Sequence, residues 1–427
     1  MKRKLALTMT LMMIVMSVVG CGGTDGDTVA DAGNAETTVI EDATTNELDD
    51  VNGEKTVVEL WHYWGNESQQ ELLDKYVGEF NAQSETVEIE YAYIPYAEFT
   101  QKVLVSAAGG KVPDILVYGN NETAILAEAG VLGEITDIVM EGGYEERFVS
   151  GLMDSHVYND EYYGLPIYGN CLALFYNKEL ITTPPTTWDE LMTIAEEVTT
   201  DDCYALAISA VESEEGVFQF LPWLWSAGAD LDSLDSEEGI ASLQMLKDLV
   251  DLGYMSKEVV SWAQQDAQVA FSAGRAAMMV NGPWMIPEIE AAAPDLDYGV
   301  TVLPALDDEH ASILGGESFG VAKGGQVDKA AEFFEWIYSE EIYAQFVQDL
   351  GQLPADEELL MESLYQDDPI QKAFVDNLLV AKPRAYGPDY NEMSKAIQTA
   401  LTATLTGSKT AEEALVEAAS IVEPLLP

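Results

Sequence analysis

From Thr56 onward the sequence alternates between strand and helix patterns, and this alternation limits the possible fold more than any other feature. Alternating or wholly apolar runs predict strands, and apolar residues at helical spacing predict the helices between them. Strand, helix, strand, helix, strand is typical of βαβ units, whose strands lie parallel in one sheet. The strand patterns cover residues 57–63, 87–93 and 113–119, and the helix patterns cover residues 72–80 and 99–108.

The loops that follow the first and third predicted strands are candidate binding segments. They cover residues 64–67 and 118–121. Ligands of open α/β sheets bind beyond the carboxyl ends of the strands, where such loops meet. We therefore expect polar and aromatic side chains of both loops to face a common ligand.

Capping boxes and apolar spacing predict helices further along the chain. A Ser or Thr followed three residues later by Glu satisfies two backbone donors at a helix start. The last hundred residues are mainly helical in pattern, with helices expected over 330–346 and 410–422, and no internal repeat of 20 to 50 residues is present. The capping boxes are Ser68 with Glu71, Thr187 with Glu190, and Thr410 with Glu413.

The N-terminus has the pattern of a secretory signal. Lys2, Arg3 and Lys4 precede an apolar run over 5–19, which is short for a bilayer span of about 20 residues. Cysteine directly follows the small residue Gly20, and this order resembles a bacterial lipoprotein signal, in which Cys21 receives the lipid. An ordinary signal peptide or an N-terminal anchor helix is the alternative. We predict a signal peptide over 1–20.

Residues 21–55 are predicted to form an acidic, disordered tether. Residues 22–54 contain ten Asp or Glu and no Lys or Arg, with Gly, Thr, Ala and Asn between them. Such a segment repels itself and lacks the apolar side chains that a core needs. Its expected role is to hold a folded body away from a lipid surface.

The overall charge excludes several classes of partner. The 427 residues include 19 Lys and Arg against 76 Asp and Glu, which gives a formal net charge of −57 at pH 7. A nucleic-acid binder needs clustered cations to displace phosphate counterions, and an anionic membrane surface would repel this chain. We therefore expect membrane contact only through the lipid. The hydrophobic share of 48% supplies large cores, and the length fits two or three domains or two lobes.

The sequence contains few of the motifs that are typical of catalytic or metal-binding sites. None of the three histidines, His62, His156 and His310, has the spacing of a metal site, and no nucleophile elbow or phosphate loop is present. We predict no metal, no cofactor and no enzymatic activity. Cys171 and Cys203 are expected to be buried free thiols, with one disulfide as the alternative.

Aromatic residues are abundant and many flank Gly, Pro or Asn in apparent loops. The chain has eight tryptophans and twenty tyrosines. An aromatic plane suits the apolar face of a pyranose, and nearby amides and carboxylates suit its hydroxyl groups. Each aromatic alone has core packing as its alternative, but the set favours a polar, non-ionic ligand such as a sugar. Its members are Trp64, Trp223, Trp225, Trp284, Tyr386 and Tyr390.

Four stretches carry a specific resemblance. They read LPIYGN, LFYNKEL, PPTTWDEL and FSAGRAAMMVNGPW, at 165–170, 174–180, 184–191 and 271–284. The chain from about Thr56 to Pro427 resembles the family-1 extracellular solute-binding proteins of ABC importers, the relatives of maltose-binding protein. The stretches at 315–318 and 351–354 fit the same pattern.

The resemblance implies a type II periplasmic-binding-protein-like fold. In this α/β fold two lobes, each a mainly parallel sheet flanked by helices, enclose the ligand in a cleft. The first lobe would comprise 56–167 with 317–368, and the second 168–316 with 369–427. A ligand that touches both lobes stabilises the closed state, because only that state makes both sets of contacts.

The resemblance also implies ligand contacts. Asn170 lies where maltose-binding protein has an acidic ligand residue, and Trp284 matches a stacking tryptophan of that protein. The first lobe would contribute five contacts, and loops of variable length would contribute six more. The five are Trp64, Asn66, Glu67, Tyr118 and Asn121, and the six are Trp223, Trp225, Gly316, Glu317, Tyr386 and Tyr390.

The resemblance and the residues together predict a monomeric receptor on the extracellular face of the bacterial membrane. It would bind a carbohydrate, expected to be an oligosaccharide, and deliver it to the permease subunits of an ABC transporter. A polyol or glycerol phosphate is the alternative ligand. A surface glycosidase or esterase and a purely structural surface protein are the alternative classes.

Overall fold

A computed structural model of the chain describes residues 55–427 except Asn66 and Asp308. The predicted signal peptide, Cys21 and the tether before Lys55 lie outside the described residues. Side chains are not described at five further positions, so the predicted capping box at Ser68 and the predicted contact of Glu67 are also outside. The five positions are Glu67, Ser68, Tyr96, Ala97 and Ser363.

The described strands alternate with helices along most of the chain. In chain order the strands are β1 Thr56–His62, β2 Val87–Tyr93, β3 Ile115–Gly119, β4 Val157–Tyr158, β5 Glu161–Tyr162, β6 Leu165–Pro166, β7 Asn170–Cys171, β8 Ala173–Asn177, β9 Tyr204–Ala207, β10 Ala276–Asn281, β11 Tyr298–Thr301, β12 Ser312–Gly315, β13 Glu317–Val321 and β14 Ala381–Lys382.

The α-helices are α1 Glu67–Gln83, α2 Tyr96–Ala108, α3 Thr123–Glu128, α4 Thr136–Glu141, α5 Tyr144–Arg147, α6 Ser150–Asp154, α7 Trp188–Val198, α8 Glu214–Ser226, α9 Glu237–Asp251, α10 Gln264–Ser272, α11 Ile286–Ala292, α12 Val327–Ile337, α13 Glu340–Asp349, α14 Glu357–Leu360, α15 Ser363–Gln366, α16 Pro369–Leu378, α17 Tyr390–Leu405 and α18 Ala411–Val422. Short 3₁₀ turns cover Asn120–Glu122, Leu231–Ser233, Lys257–Ser261, Pro283–Met285 and Glu423–Leu425.

The first sheet contains the three strands that the sequence predicts at its start. Its order is β2-β1-β3-β13-β6. β1 runs parallel to β2 and β3, as βαβ connections require. β13 joins from much later in the chain and runs antiparallel to both β3 and β6.

The second sheet is mixed, which corrects the expectation of a mainly parallel sheet. Its order is β11-β8-β10-β9, and β8 lies antiparallel to both of its neighbours. Only β9 and β10 are parallel. β8 is reached directly from β7 and not through a crossover helix, so it is free of the parallel direction that a βαβ connection imposes.

A small third sheet lies on the chain's route between the other two. Its order is β14-β12-β7, with β12 parallel to β14 and antiparallel to β7. β7 follows β6 of the first sheet and precedes β8 of the second. β12 precedes β13, so the return to the first sheet passes through Gly316.

Buried side chains form two hydrophobic clusters, and the second sheet separates them. Leu174 of β8 belongs to one cluster and its neighbour Phe175 belongs to the other, as period-two alternation along a strand requires. Met278 and Met279 of β10 divide in the same way. Both faces of this sheet are therefore covered, and all six residues of β10 are buried.

Two predicted capping boxes are confirmed, and one predicted helix is divided. Thr187 and Thr410 each accept from the backbone N–H of the Glu three residues later, and each Glu carboxylate accepts from the backbone N–H of its Thr. The helix predicted over 330–346 is two helices, α12 and α13, because Ser339 starts a new helix with extended backbone angles.

The two cysteines in the described part are free thiols. Cys171 is buried in β7, as expected, whereas Cys203 is half-buried just before β9. Burial raises the pKa of the Cys203 thiol. Among the described residues, no helix is long and apolar enough to cross a bilayer.

His156 is a buried histidine that joins two elements beneath the first sheet. Its Nδ1 lies 2.7 Å from the carbonyl oxygen of Leu152 in α6, and its Nε2 lies 2.5 Å from Oγ of Ser318 in β13. The carbonyl can only accept, so Nδ1 carries the proton and Nε2 accepts from Ser318. Burial lowers the pKa of His156 from 6.5 to about 4.

The low pKa of His156 predicts an acid-sensitive fold. The unfolded chain binds this proton more strongly than the folded chain, so stability is lost as pH falls from about 6.5 towards 4, by up to about 3 kcal/mol. Urea unfolding of wild type and His156→Phe at pH 4 to 7 should give a shallower pH slope for the variant. His310→Phe, which changes a half-buried histidine, is the control. Parallel slopes for wild type and His156→Phe would contradict the prediction.

Candidate functional site

A cavity of about 530 Å³ lies where the first and third sheets meet the helices of the second. We call it the main cleft. Its residues come from loops after β1 and β3, from the connecting strands, from the starts of α8 and α10, and from the turn Pro283–Met285. They are Tyr63, Gln69, Gly119, Asn121, Tyr168, Asn170, Ser213, Glu214, Glu215, Phe218, Gln264, Gln265, Trp284, Met285, Glu288, Gly315, Gly316, Glu317, Gln352 and Arg384.

Two glycines shape the floor of the main cleft. Gly315 of β12 pairs with Asn170 of β7, and a Cβ at Gly315 would lie 2.2 Å from Oδ1 of Asn170. Gly316 has a φ of 137°, and a Cβ there would lie 2.2 Å from the carbonyl oxygen of Tyr168. A side chain at Gly316 would collide with the backbone of Tyr168, and a side chain at Gly315 would displace the Asn170 side chain. These glycines therefore hold Asn170 and Glu317 side by side.

Two buried oxygen acceptors in the main cleft have no partner. The Tyr168 and Tyr63 hydroxyls donate to the Glu317 carboxylate, yet Oε2 of Glu317 accepts no hydrogen bond. Oε1 of Gln352 is likewise buried and without a donor. Burial raises the pKa of Glu317 despite the two hydroxyl donors. Unsatisfied buried acceptors are costly, so the site favours a ligand that brings hydroxyl donors.

Aromatic rings form one wall of the main cleft. The Trp284 ring is half-buried, and its centroid lies 6.3 Å from that of Phe218. A Cβ at Gly282 would lie 2.0 Å from the Trp284 ring, so glycine is required beneath it. The Arg384 guanidinium lies over the Phe218 ring, with its central carbon 4.7 Å from the ring centroid. Phe218 therefore lies close to both the Trp284 ring and the Arg384 guanidinium along this wall.

Glu214, the first residue of α8, is tied to the C-terminal part of the chain. Its carboxylate pairs with Arg384 and accepts from the hydroxyls of Ser394 and Tyr390, the latter at 2.7 Å. Arg384 is only 8% exposed, so this ion pair is largely desolvated. A negative side chain is also favourable at a helix N-terminus. The Arg384 and Glu214 side chains are therefore fixed before any ligand arrives.

The main cleft is strongly acidic. Glu214, Glu215, Glu288 and Glu317 line it, and among its described lining residues Arg384 is the only cation. Arg384 is already paired with Glu214. An anionic ligand would meet three further carboxylates, whose repulsion is large where water is excluded.

The structure places five of the sequence-predicted contacts in the main cleft. They come from four separate segments of the chain, which the sheet topology brings together. Asn66 lies outside the described residues, and for Glu67 the side chain does. The five are Asn121, Asn170, Trp284, Gly316 and Glu317.

Trp64 and Tyr118 lie in the core instead, which corrects two first-lobe assignments. Trp64 is 1% exposed, and its ring packs near Phe346 of α13. Tyr118 is fully buried, and its hydroxyl lies 3.3 Å from Oγ1 of Thr123. Tyr118 lies within β3 and Trp64 lies two residues beyond the end of β1, and neither side chain lines the main cleft.

Trp223 and Trp225 also lie in the core, because Pro222 is inside α8 and does not mark a loop. Trp223 is 1% exposed, with its ring 6.4 Å from that of Trp188. Trp225 is also buried, and its Nε1 donates to Asp230 at 3.0 Å. Neither tryptophan lines the main cleft.

Tyr386 and Tyr390 do not line the main cleft but contact residues that do or that lie next to it. Tyr390 is buried and donates to Glu214. The Tyr386 hydroxyl bonds to Asp230, and its ring stacks on Tyr390 with centroids 5.9 Å apart. Their predicted role as ligand contacts is replaced by a role in holding Glu214 and Trp225.

Several lining residues were missed by the sequence analysis. Phe218 lies in an apolar helical stretch and carries no signal that separates it from core. Glu214 and Glu215 begin the helix after β9, so the rule that ligands bind beyond strand ends could have found them. Gln352 lies within the stretch 351–354, which was noted for the resemblance only. Arg384 is unusual as a rare cation in a very acidic chain.

No group of three or more His, Cys, Asp and Glu side chains in the described part of the chain is arranged to hold a metal ion. The geometry of the site is that of a binding pocket with unsatisfied acceptors and an aromatic wall.

Comparison with known proteins identifies the family. Residues 75–373 match the family of bacterial extracellular solute-binding proteins, and the chain belongs to that family. The maltotriose-binding protein of Pyrococcus abyssi is 26% identical over 339 residues, which cover 74% of this chain and 70% of that protein.

Solved structures share the fold over most of the chain. An ABC transporter solute-binding protein of Thermotoga lettingae, bound with α-D-tagatose, has a TM-score of 0.77 and 25% identity, covering 88% of this chain and 100% of that chain. The GacH receptor of Streptomyces glaucescens, solved with acarbose, has a TM-score of 0.77 and 26% identity, covering 87% and 99%. The predicted two-lobed α/β type II fold is confirmed.

The two tryptophan environments predict losses of stability that differ in size. Trp223→Ala removes a buried ring and should lower the free energy of unfolding by about 3–5 kcal/mol. Trp284→Ala removes a half-buried ring from a cavity wall, so its cost should be less than half as large. Urea unfolding of both variants measures this difference. Equal destabilisation would contradict the placement of Trp284 at the surface of the main cleft.

Proposed function

We propose that this protein is a lipid-anchored extracellular receptor that binds a neutral carbohydrate in the main cleft and delivers it to an ABC permease. The observation that carries the proposal is the pairing of an aromatic wall with unsatisfied acceptors. Trp284 lines the same cavity as the unsatisfied acceptor oxygens of Glu317 and Gln352. A sugar ring has an apolar face for the tryptophan and hydroxyl donors for the two oxygens.

The charge of the main cleft supports a neutral ligand. A glycerol phosphate or other anion would need cations, but Arg384 is paired with Glu214 and the other charged lining residues are acidic. A sugar hydroxyl donates to a carboxylate without bringing a like charge. Charge-assisted hydrogen bonds of this kind are stronger than neutral ones.

The relatives support carbohydrate as the ligand class. By their names they bind maltotriose, α-D-tagatose and acarbose. They are binding proteins, and we extend this to the present chain as binding without turnover. Delivery to a permease follows from the same relationship, because the Thermotoga protein is a component of an ABC transporter.

We further propose that the lobes divide as the resemblance implies, at 167/168, 316/317 and 368/369. The first two junctions lie where the chain leaves β6 for β7 and where it leaves β12 for β13. A hinge there would let the walls that carry Asn121 and Trp284 approach each other. A ligand that touches both walls then favours the closed state.

The lipid anchor is the remaining part of the proposal, and it rests on the sequence. The basic start, the apolar run and Gly20-Cys21 place the modified cysteine before an acidic tether. Two signals are needed for stable anchoring by acyl chains, which a lipoprotein cysteine supplies through several chains on one residue. The tether would keep the receptor near its permease.

A panel of neutral and acidic sugars tests the ligand class by thermal shift. A neutral binder at one hundred times its Kd should stabilise the fold by about 2.7 kcal/mol, and the uronic acid counterpart should give a smaller shift. Trp284→Ala should weaken binding at least about tenfold, equal to about 1.4 kcal/mol. Trp61→Ala, whose indole bonds to Glu59 outside the main cleft, is the control. Binding that survives Trp284→Ala unchanged, or a panel without any binder, would overturn the proposal.

Expression of Cys21→Ser in a bacterial host tests the anchor. The wild-type chain should fractionate with the membrane and carry a lipid mass on an N-terminal Cys21, whereas the variant should not carry that mass. Cys203→Ser controls for the loss of a thiol. An unmodified wild-type N-terminus would refute the lipid anchor and leave the sugar site standing.

A further inference from the structure

Glu317 of the main cleft carries a carboxylate that has no cationic partner. Its Oε2 is buried, and no Lys, Arg or His side chain in the described part of the chain forms an ion pair with it. The hydroxyls that donate to it, from Tyr63 and Tyr168, are uncharged. Proteins seldom bury a carboxylate unless a positive charge compensates it. A ligand that enters the main cleft can supply that charge.

The other glutamates of the main cleft are either compensated or exposed. Glu214 pairs with Arg384, and the Glu215 carboxylate accepts from the first backbone N–H of α10. Glu288 lies exposed on α11, where water weakens its field. Glu317 differs from all three, because its free oxygen is buried and its donors are neutral.

A second buried acceptor lies near Glu317. Gln352 is 9% exposed, and its Oε1 has no donor. Both residues adjoin the connection from β6 to β7. Ile167 donates its N–H to the carbonyl of Glu317 at 2.8 Å, and Gly169 donates its N–H at 3.0 Å to the carbonyl of Leu353, which follows Gln352. The two acceptors thus line one cavity from neighbouring backbone segments.

The Trp284 ring adds a surface that attracts positive charge. An aromatic face binds a cation as well as the carbon face of a sugar. Arg384 already makes such a contact in this wall, since it lies over the Phe218 ring. Trp284 is half-buried and lines the same cavity as Glu317 and Gln352. The main cleft therefore combines an uncompensated carboxylate, a second acceptor and an aromatic face.

We propose that the main cleft prefers a sugar that carries an ammonium group, which binds Glu317 and Gln352 while the sugar ring packs on Trp284. This inference rests on the proposed carbohydrate site and extends its ligands from neutral sugars to amino sugars, which bind more tightly. An ammonium group has three N–H donors and no acceptor, which suits two unsatisfied oxygens. Its charge adds to the binding because Oε2 of Glu317 is already shielded from water in the folded protein.

Matched sugars test the preference by calorimetry at pH 7. Glucose, galactose, mannose, maltose and cellobiose would each be compared with their 2-amino-2-deoxy and 6-amino-6-deoxy derivatives, which are mainly cationic at this pH. The N-acetyl derivatives of the same amines are the neutral controls. At least one cationic sugar should bind at least about tenfold more tightly than both its parent and its N-acetyl derivative.

Variants of the main cleft assign the preference to particular side chains. Glu317→Gln keeps an oxygen acceptor but removes the charge, so the ratio of cationic to parent affinity should fall to about one. Glu288→Gln is the matched control, because it removes an exposed carboxylate of the same cavity and should change the ratio less than about twofold. Gln352→Met removes the second acceptor, should lower the ratio severalfold, and serves if Glu317→Gln fails to fold.

Salt separates direct contact from general attraction to an acidic protein. Between about 0.05 and 0.3 M NaCl the ratio should change less than about twofold, because buried pairs are screened little. A ratio that disappears at high salt, or that Glu317→Gln and Gln352→Met leave intact, would overturn this inference. Cationic sugars that bind no better than neutral ones would also overturn it, while sugar binding stands. Absence of binding by every sugar would overturn the proposed function itself.

Discussion

The close approach of Gly315 and Gly316 to the segment from Tyr168 to Asn170 determines the rest of the site. At this point the chain passes between the sheets in both directions, and a Cβ at Gly316 would collide with the backbone of Tyr168 while one at Gly315 would collide with the Asn170 side chain. That contact sets Asn170 and Glu317 next to each other and brings Tyr168 under the Glu317 carboxylate. The aromatic wall and the Glu214 pair then face this floor from the second sheet. Every group that we assign to ligand binding is positioned relative to these few backbone atoms.

Carboxylates at the protein surface and in the main cleft differ in their exposure to water, and this difference affects which ligands the main cleft can bind. Most Asp and Glu side chains in the described part of the chain are exposed, but Oε2 of Glu317 is buried and Glu214 is half-buried in its ion pair with Arg384. A buried carboxylate with one free oxygen is a strong acceptor for a hydroxyl group and repels an anion.

Short-range patterns in the sequence predicted the local structure well, and the long-range contacts account for most of the errors. β1 to β3 and the capping boxes at Thr187 and Thr410 depend on neighbours only, so they could be read directly. Trp223 and Trp284 both stand beside a proline, yet one is core and the other faces the main cleft. Arg384 meets Glu214 across 170 positions of sequence, and only the sheet topology determines that meeting. The family resemblance supplied Trp284 and Glu317, which composition and periodicity could not distinguish from other residues.

The shared face of the second sheet has a consequence for how the molecule unfolds. The cluster that begins under β1 and β3 continues through α16 to β8, where Phe374 lies 5.6 Å from Phe175. The first and second sheets therefore share one hydrophobic cluster. Loss of packing on one sheet would expose apolar surface on the other, so we expect the body of the protein to melt as one cooperative unit rather than in two stages. The hinge that we propose is compatible with a single melting transition, provided that α16 keeps its packing on β8 when the connecting strands bend.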